Sequence, residues 1–534
     1  KINHLLYLLL ISIKIKNLIY NYFLLSNKIY KLDIMKKINK ILIANRSEIA
    51  SRIIFTCKTL NIKTASIYSK EDIKLQYIYE SDENHELSKC GASAYLEQDE
   101  IINIAKKLNA DAIHPGYGFL SENYTFAQKV IDSGLIWIGP NPEIIKSMGD
   151  KINARNLMLS ANIPVIPGYF ITHATNQKDI EKIANLISFP LILKDPLGGG
   201  GKAIKKVFNF DELIPAINTV KSESSRLTKS NQILIEKYIE NGRHIEVQIA
   251  GDGKNFIHFY ERECSIQRRH QKIIEETPCK FVSQQILNKI YEAAINAAKI
   301  ISYKNIGTVE FIVTPDEKFY FLEINTRLQV EHSITEETTG IDLVALQINL
   351  AQNNKLNLNQ NDISREKHAI ECRIYSEDPN NNFLPNTGII KNLMLPHLPF
   401  ARIDHNLENN QEISTLFDPM IAKITCWGKD RTIAIKNLLT VLKQFNIDGI
   451  SNNINFLINI LENKKFQAGE INTQFVEKFI TENQPNFDNK INININENLT
   501  EEEIAAIFYE LKTKQNLNNK ILHAINNWKV KQWR

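Results

Sequence analysis

The stretch Gly307-Thr308-Val309-Glu310-Phe311-Ile312-Val313, followed after five residues by Phe319-Tyr320-Phe321-Leu322-Glu323-Ile324-Asn325, reads as two apolar strands of a β-hairpin, each interrupted by one glutamate. Taking Thr314 to Lys318 as the loop pairs Val313 with residue 319 or 320 and sets Glu310 nearly opposite Glu323. Cross-strand partners lie about 5 Å apart and opposed like charges repel, so the pair wants a cation between its carboxylates. Magnesium suits such a site because it prefers hard oxygen ligands and commonly links one or two carboxylates to substrate phosphates; Asn325 offers a third oxygen. Two solvated glutamates on an exposed strand face would show the same spacing, and the hairpin alone leaves both readings open. The residues that follow favour the first. Glu323, Asn325, Arg327, Gln329 and Glu331 place a polar group at every second position, which an extended chain would turn to one side. Acid, amide and guanidinium clustered beside an apolar strand are costly to bury without a ligand, and they suit anion capture with proton transfer.

Three further segments carry chemistry. Gly198-Gly199-Gly200-Gly201-Lys202 follows the apolar strand Pro190-Leu-Ile-Leu-Lys194; its glycines would let backbone amides approach phosphate oxygens, with Lys194 and Lys202 adding positive charge. The run matches neither the Walker nor the Rossmann pattern, and taken alone it reads as a flexible loop. Glu261-Arg-Glu-Cys-Ser-Ile-Gln-Arg-Arg-His270-Gln-Lys272 is densely charged, which suits a solvated face or an RNA-binding patch, although neither explains its mixed signs. Glu371-Cys372-Arg373 lies in an apolar strand, where Arg373 needs an anionic partner; a structural ion pair satisfies that need as well as a ligand does.

Working outward, Ile41 to Ala44 reads as a buried strand and Glu48 to Leu60 as a helix with Ile49, Ile53, Ile54 and Cys57 on one face. Similar βα alternation continues to Leu135–Ile138, predicting a parallel α/β domain of about 110 residues. From about Gly149 to Asn361 strands, helices and Gly-rich turns mix, as in an α+β domain. A third region opens near His368, contains the strand-like Ala369 to Tyr375 and Ile421 to Trp427 and the helix Arg431 to Phe445, and ends near Phe479. Gln484 to Asn498 reads as a polar linker. Beyond it Thr500 and Glu503 form a capping box, and Ile504, Ile507, Phe508 and Leu511 share a face expected to dock on a partner. Residues 1–34, ahead of Met35, read as translated upstream sequence or a leader.

A length of 534 residues exceeds what one core usually serves and predicts two to four packed units. A hydrophobic content of 43% and a charged content of 23% exclude a wholly disordered, collagenous or membrane-spanning chain. A net charge of +4 makes no chain-wide case for nucleic acid or a membrane surface. The six cysteines are scattered without metal-ligand spacing, which predicts free thiols in a reducing compartment.

Together these segments resemble biotin carboxylase, an ATP-grasp enzyme, from about Met35 to Glu482. The resemblance is carried by Ala44-Asn-Arg-Ser-Glu-Ile-Ala50, His114-Pro-Gly-Tyr-Gly-Phe-Leu-Ser-Glu-Asn123, Met148-Gly-Asp-Lys151, Glu236-Lys-Tyr-Ile239, Arg268-Arg-His-Gln-Lys272, Glu323-Ile-Asn-Thr-Arg-Leu-Gln-Val-Glu-His332 and Glu371-Cys-Arg373. It implies an N-terminal parallel α/β (pre-ATP-grasp) domain over 35–148, an ATP-grasp domain over 149–363 with a lid at about 166–238, a C-terminal biotin carboxylase domain over 364–482, and a linker and helical tail over 483–534. By the same resemblance Lys151, Lys194, Gly200, Gly201, His244, His270 and Glu310 hold ATP, with Glu236, Lys237, Tyr238 and Ile239 at the adenine. Glu310, Glu323 and Asn325 carry magnesium, as two ions for which manganese can substitute. Lys272, Arg327 and Val330 bind bicarbonate, Glu331 is the base that deprotonates it, and Arg373 steadies the biotin enolate; Glu331, Arg327, Arg373 and Lys272 form the catalytic set.

The implied reaction is ATP-dependent carboxylation of biotin by bicarbonate through carboxyphosphate, the first half-reaction of acetyl-CoA or another acyl-CoA carboxylase, a ligase of fatty acid biosynthesis. The alternatives are another ATP-grasp ligase or a non-catalytic regulatory subunit that binds ATP. A biotin-carrying domain needs a lysine between methionines, and none of Met35, Met148, Met158, Met394 or Met420 makes that motif. Biotin is therefore expected on a separate carboxyl carrier protein, beside a carboxyltransferase subunit, with the chain itself a homodimer that binds neither nucleic acid nor membrane. A cytoplasmic location is expected, or an organellar matrix or stroma if residues 1–34 are a genuine leader. The tail faintly resembles the linker that follows the carboxylase in α subunits of acyl-CoA carboxylases. Departures from the family pattern are Ser47 for glycine, Asp195-Pro-Leu197 before only four loop glycines, Ala203 for glycine and Ser333 for proline, and the changes in the lid imply altered ATP affinity.

Overall fold

Residues 37–483 are described by the computed structural model, except 173, 197–203, 228–231 and 354. The expected leader, the glycine loop with Gly200 and Gly201, Ala203 and the capping box at Thr500 lie outside the described residues. Two compact units divide the chain at Ile38, and every element below belongs to the unit Asn39–Arg534.

Strands β1 (Lys40–Ile43), β2 (Lys63–Tyr68), β3 (Glu83–Glu86), β4 (Ala112–His114) and β5 (Ile136–Trp137) form a parallel sheet in the order β3-β2-β1-β4-β5. Ile41, Leu42 and Ile43 are fully buried, as an apolar run in a sheet covered on both faces should be. The first helix, Ser47–Thr59, buries the predicted stripe of Ile49, Ile53, Ile54 and Cys57. Strand order reverses direction between β1 and β4, and ligands of such sheets bind outside the carboxyl ends of the strands at that switch. Asn45 ties the two loops there, donating to the Pro115 and Tyr117 carbonyls at 2.7 Å each.

Strands β6 (Gly168–Thr172), β7 (Leu191–Lys194), β8 (Ile204–Val207) and β9 (Gln232–Lys237) make a separate antiparallel sheet in the order β6-β9-β7-β8. Its core of Ile171, Leu191, Leu193, Ile233 and Ile235 packs with apolar residues of the helices Gln177–Ile187 and Phe210–Leu227. This sheet occupies the segment expected to be the lid.

The largest sheet has eight strands. It runs β14 (Phe319–Asn325), β13 (Lys304–Val313), β10 (Arg243–Asp252), β11 (Phe256–Arg268), β12 (Gln271–Thr277), β15 (His368–Tyr375), then Met420–Gly428 and Ala401–His405. Pairing of β12 with β15 carries it across the boundary expected near residue 363, so the central and C-terminal regions share one sheet. The β13–β14 hairpin has the expected loop and register, with Val313 opposite Phe319 and Glu310 opposite Glu323.

Two expectations need correction. The chain does not stay extended to Glu331: β14 ends at Asn325, and Glu331, with φ −80° and ψ 15°, sits at the start of the helix His332–Thr339. A turn, not strand alternation, brings Glu331 back to the site. Nor is the charged run solvated or RNA-facing from Glu261 to Arg268; its exposed residues are Arg269, His270 and Gln271, at the turn. Glu261, Arg262 and Glu263 are at most 1% exposed on the central strand β11, each with opposite charge in reach: Arg365 at 2.9 Å from Glu261, Arg243 at 2.9 Å from Glu263, and Glu246 beside Arg262.

Candidate active site

Alternation along β10 turns His244, Glu246 and Gln248 to one face, and the register lays Glu246 opposite Glu310, which in turn opposes Glu323. Three carboxylates thus cross three adjacent strands in one row. Lys272, at the start of β12, reaches over this row: its Nζ is 2.5 Å from Glu246 Oε2, 2.9 Å from Glu310 Oε1 and 2.7 Å from Glu331 Oε1. Arg262, wholly buried, donates to Glu246, to Gln248 (2.8 Å), Thr335 (3.0 Å), Thr308 (3.1 Å) and Gln329 (2.7 Å), while Gln329 donates to Glu310 Oε1 at 2.8 Å. A guanidinium with all its donors engaged holds its partners in place.

Arg373 Nη2 donates to Glu331 Oε2 at 3.0 Å and its Nε to Glu275 Oε1 at 2.6 Å. Arg327 bonds Glu122 Oε2 at 2.9 Å and Asn325 Oδ1 at 3.0 Å, and Asn325 Nδ2 bonds Glu310 Oε1 at 2.8 Å. Burial by itself would raise the Glu331 carboxyl, but the positive charges of Lys272, Arg373 and Arg262 outweigh it and hold Glu331 well below the usual carboxylate range. Burial acts likewise on Glu310, and Lys272 with His244 overcomes it. Glu323 goes the other way, raised by burial and then by the facing charge of Glu310. His244 Nε2 lies 2.9 Å from Glu310 Oε2, close enough for attraction but off the line of a hydrogen bond.

These groups line one cavity of about 780 Å³, bounded by the switch-point loops through Arg46, Ser47, Glu48 and Tyr117, by the four-stranded sheet through Lys194, Ile204 and Glu236, and by the large sheet. Glu310, Glu323 and Asn325 share its wall, and three hard oxygen donors with opposed like charges fit a divalent cation such as magnesium.

Family models match almost the whole described chain: biotin carboxylase N-terminal domain over residues 37–145, the ATP-binding domain of the carbamoyl-phosphate synthase L chain over 150–359, and biotin carboxylase C-terminal domain over 371–478. The chain is 44% identical over 439 residues to biotin carboxylase of Halalkalibacterium halodurans, covering 82% of this chain and 97% of that protein. The chain belongs to the biotin carboxylase family. It is 42% identical to a pyruvate carboxylase component of Methanothermobacter thermautotrophicus, covering 83% of this chain and 90% of that one. With the α subunit of mouse mitochondrial methylcrotonoyl-CoA carboxylase it shares 40% identity over 82% of this chain, and it spans 62% of that longer protein. Among solved structures, Campylobacter jejuni biotin carboxylase in complex with β,γ-ATP superposes with a TM-score of 0.80 at 38% identity, covering 83% of this chain and 99% of that one. The biotin carboxylase domain dimer of Hydrogenobacter thermophilus 2-oxoglutarate carboxylase, bound to MgADP, ADP and bicarbonate, also gives 0.80, at 37% identity over 83% and 98% of the two chains.

The cavity gathers Lys151, Lys194, Glu236, His244, His270, Lys272, Glu310, Glu323, Asn325, Arg327, Val330, Glu331 and Arg373 from the expected set. Lys237, Tyr238 and Ile239 do not line it. Lys237 Nζ instead donates to the Phe189 carbonyl at 2.6 Å, because alternation past Glu236 turns it to the other face of the four-stranded sheet. The strand ends at Lys237, and the Tyr238 hydroxyl beyond it meets Gln474 at 3.1 Å. Sequence reasoning missed Glu246, Arg262, Gln267, Glu275 and Arg155. His244, Glu246 and Gln248 alternate among Ile245, Val247 and Ile249, and that pattern was available to find Glu246. Nothing local marks Arg155, whose Nη1 lies 3.3 Å from Glu236 Oε1 while Lys194 Nζ lies 2.9 Å from Oε2.

Proposed function

We propose that the cavity binds ATP and bicarbonate together and carboxylates biotin, the ATP-dependent ligase activity of its family. The observation that carries this is Glu331, a carboxylate gripped by Lys272 and Arg373 at the junction of the phosphate-binding lid, the paired glutamates and the switch-point loops. Bicarbonate draws Lys272 and Arg327 onto its own oxygens, which frees Glu331 to take up the bicarbonate proton. The deprotonated oxygen then attacks the γ-phosphate, the bond to the β,γ-bridging oxygen breaks and ADP leaves, giving carboxyphosphate, while Lys194 and Lys151 neutralise charge on the phosphates. Glu310, Glu323 and Asn325 would hold magnesium, which would supply further charge neutralisation at the phosphates. Carboxyphosphate breaks down to carbon dioxide and phosphate, the phosphate takes the proton from the biotin ureido nitrogen, and that nitrogen attacks carbon dioxide, with Arg373 turned to the enolate oxygen and the four-stranded sheet excluding water.

The finer reading is that biotin arrives on a separate carrier protein and passes its carboxyl group on through a carboxyltransferase, as in acetyl-CoA carboxylase of fatty acid biosynthesis. Relatives built on methylcrotonoyl-CoA and pyruvate carboxylases support the two-step scheme and leave the acyl acceptor to the transferase. A homodimer is supported by the dimeric 2-oxoglutarate carboxylase domain, and a reducing, cytoplasmic setting by six unpaired cysteines, five of them buried. Among the described residues no helix is long and apolar enough to cross a membrane. The regulatory reading calls for loss of the base or the arginines, whereas Glu331, Arg327 and Arg373 converge on one cavity.

The test is bicarbonate-dependent ATP hydrolysis with and without free biotin. Wild type is expected to be stimulated by biotin, and Glu331→Gln to lose at least about 10²-fold, as removal of a general base does. Turnover indifferent to biotin and unchanged in the variant would overturn the assignment.

A further inference from the structure

Behind Arg373 lies a second pair of facing carboxylates. Glu275 of β12 is directly opposite Glu371 of β15, and both are fully buried. Glu275 Oε1 accepts from Arg373 at 2.6 Å, and Glu371 Oε2 accepts from Ser333 Oγ and, at 2.9 Å, from Thr425 Oγ1. Each carboxyl keeps one oxygen, Glu275 Oε2 and Glu371 Oε1, without a hydrogen-bond partner among the described residues. Two acids on adjacent strands, each buried with one orphaned oxygen, are costly to keep both ionised; one proton on the pair removes one of the two like charges.

We propose that Glu275 and Glu371 share a single buried proton and that Glu275 thereby acts as a positioning residue for Arg373. With the proton in place, Arg373 is held in orientation by one oxygen of a partly neutral carboxyl and can swing toward the substrate's urea oxygen. Without it, two full carboxylates, Glu275 and Glu331, pin the guanidinium.

The surroundings favour the protonated form. Burial raises Glu275 to about 8, and the neighbouring Glu371 and Glu331 push the same way against Arg373 and Lys272. The other groups facing the pair are Cys264 of β11, Cys372 and Tyr375 of β15, and Glu48 of the first helix, itself next to Lys423. The role of Arg373 rests on the biotin carboxylase reading; the shared proton does not.

The experiment is pH-difference infrared spectroscopy on the full chain, wild type beside Glu275→Gln and Glu371→Gln, together with pH profiles of biotin-dependent turnover. Wild type should show a protonated carboxyl band at neutral pH that disappears near pH 8. Glu275→Gln should abolish that band. Glu371→Gln, which leaves Glu275 without its facing charge, should move its titration down by at least about one pH unit. If Glu275→Gln does not fold, the Glu371→Gln shift decides alone. In turnover, the alkaline limb near pH 8 should be lost in Glu275→Gln and the biotin KM should change more than the ATP KM. A wild type without the band, or a band that stays in place in both variants, overturns the shared proton. An intact alkaline limb with unchanged biotin KM in folded Glu275→Gln overturns the positioning role. Absence of biotin-dependent turnover in wild type would instead defeat the functional reading and leave the infrared result to stand by itself.

Discussion

Ser47 stands in the loop-to-helix turn that faces the cavity, with φ at +55°, in the left-handed region that favours glycine. A side chain there costs about 1–2 kcal/mol, part of which glycine returns as extra freedom in the unfolded chain. Ser47→Gly is therefore expected to raise stability by about 0.5–1 kcal/mol in urea denaturation, and an unchanged midpoint would show that the turn carries no strain. Its neighbour Glu48 is buried, with neither carboxylate oxygen bonded, and burial raises it to about 7 although Lys423 pulls it down. A carboxyl raised on folding contributes stability that is fully present below its unfolded value and is lost as pH rises through about 7. Glu48→Gln removes that loss. Its stability relative to wild type should rise between pH 5 and pH 8 by up to about 3 kcal/mol, read from thermal unfolding at each pH; a pH-independent difference would refute it. The odd residue at position 47 was legible as a departure from family pattern. The bare carboxyl at 48 was not, because its burial depends on packing of the first helix against the strand Ala401–His405, hundreds of residues away.

The β13–β14 hairpin shows what a strand pair does with opposed charge. Glu310 has Lys272, Asn325 and Gln329 around it, whereas Glu323 is left raised by burial and by Glu310. Glu323→Gln should therefore stabilise the metal-free protein by about 0.5–1 kcal/mol in a chelator-containing buffer. The same change should weaken the magnesium dependence of ATP hydrolysis by at least about tenfold. Destabilisation of the metal-free form would mean that the pair is not repulsive. Hairpin register was readable from sequence because loop length and strand alternation set it locally. The other hairpin was not. Arg269 and His270, at φ 51° and 64°, form the two-residue turn between β11 and β12, a place where Asn-Gly is the usual choice. Bonds from Arg269 to Asn382 at 2.9 and 3.1 Å and from Arg268 to Glu377 offset the strain, and they put His270 and Lys272 at the cavity.

At the scale of the whole molecule, three regions meet at Glu336. Arg52 from the first helix and Arg402 from the strand Ala401–His405 each reach it at 2.7 Å, on the helix that begins beside Glu331, the proposed base. Removing the shared anion leaves two guanidiniums in a buried joint, although Arg52 keeps Asp342 and Arg402 keeps Asp404, both at 2.9 Å. Glu336→Ala is expected to cost about 3 kcal/mol and to expose the joints to limited proteolysis; wild-type resistance would show that the joint is held by its apolar contacts alone. Sequence by itself determined the three-region organisation and the hairpin register and singled out the side chains proposed to hold the metal and act as the base, since each follows from local periodicity, turn chemistry and motif. Only the tertiary structure decided that one eight-stranded sheet crosses the domain boundary to set Arg373 beside Glu331, that the charged strand β11 is buried, and that Glu275 faces Glu371. Those outcomes depend on which distant strands pair, and pairing between strands about a hundred residues apart is settled by the packing of the whole sheet.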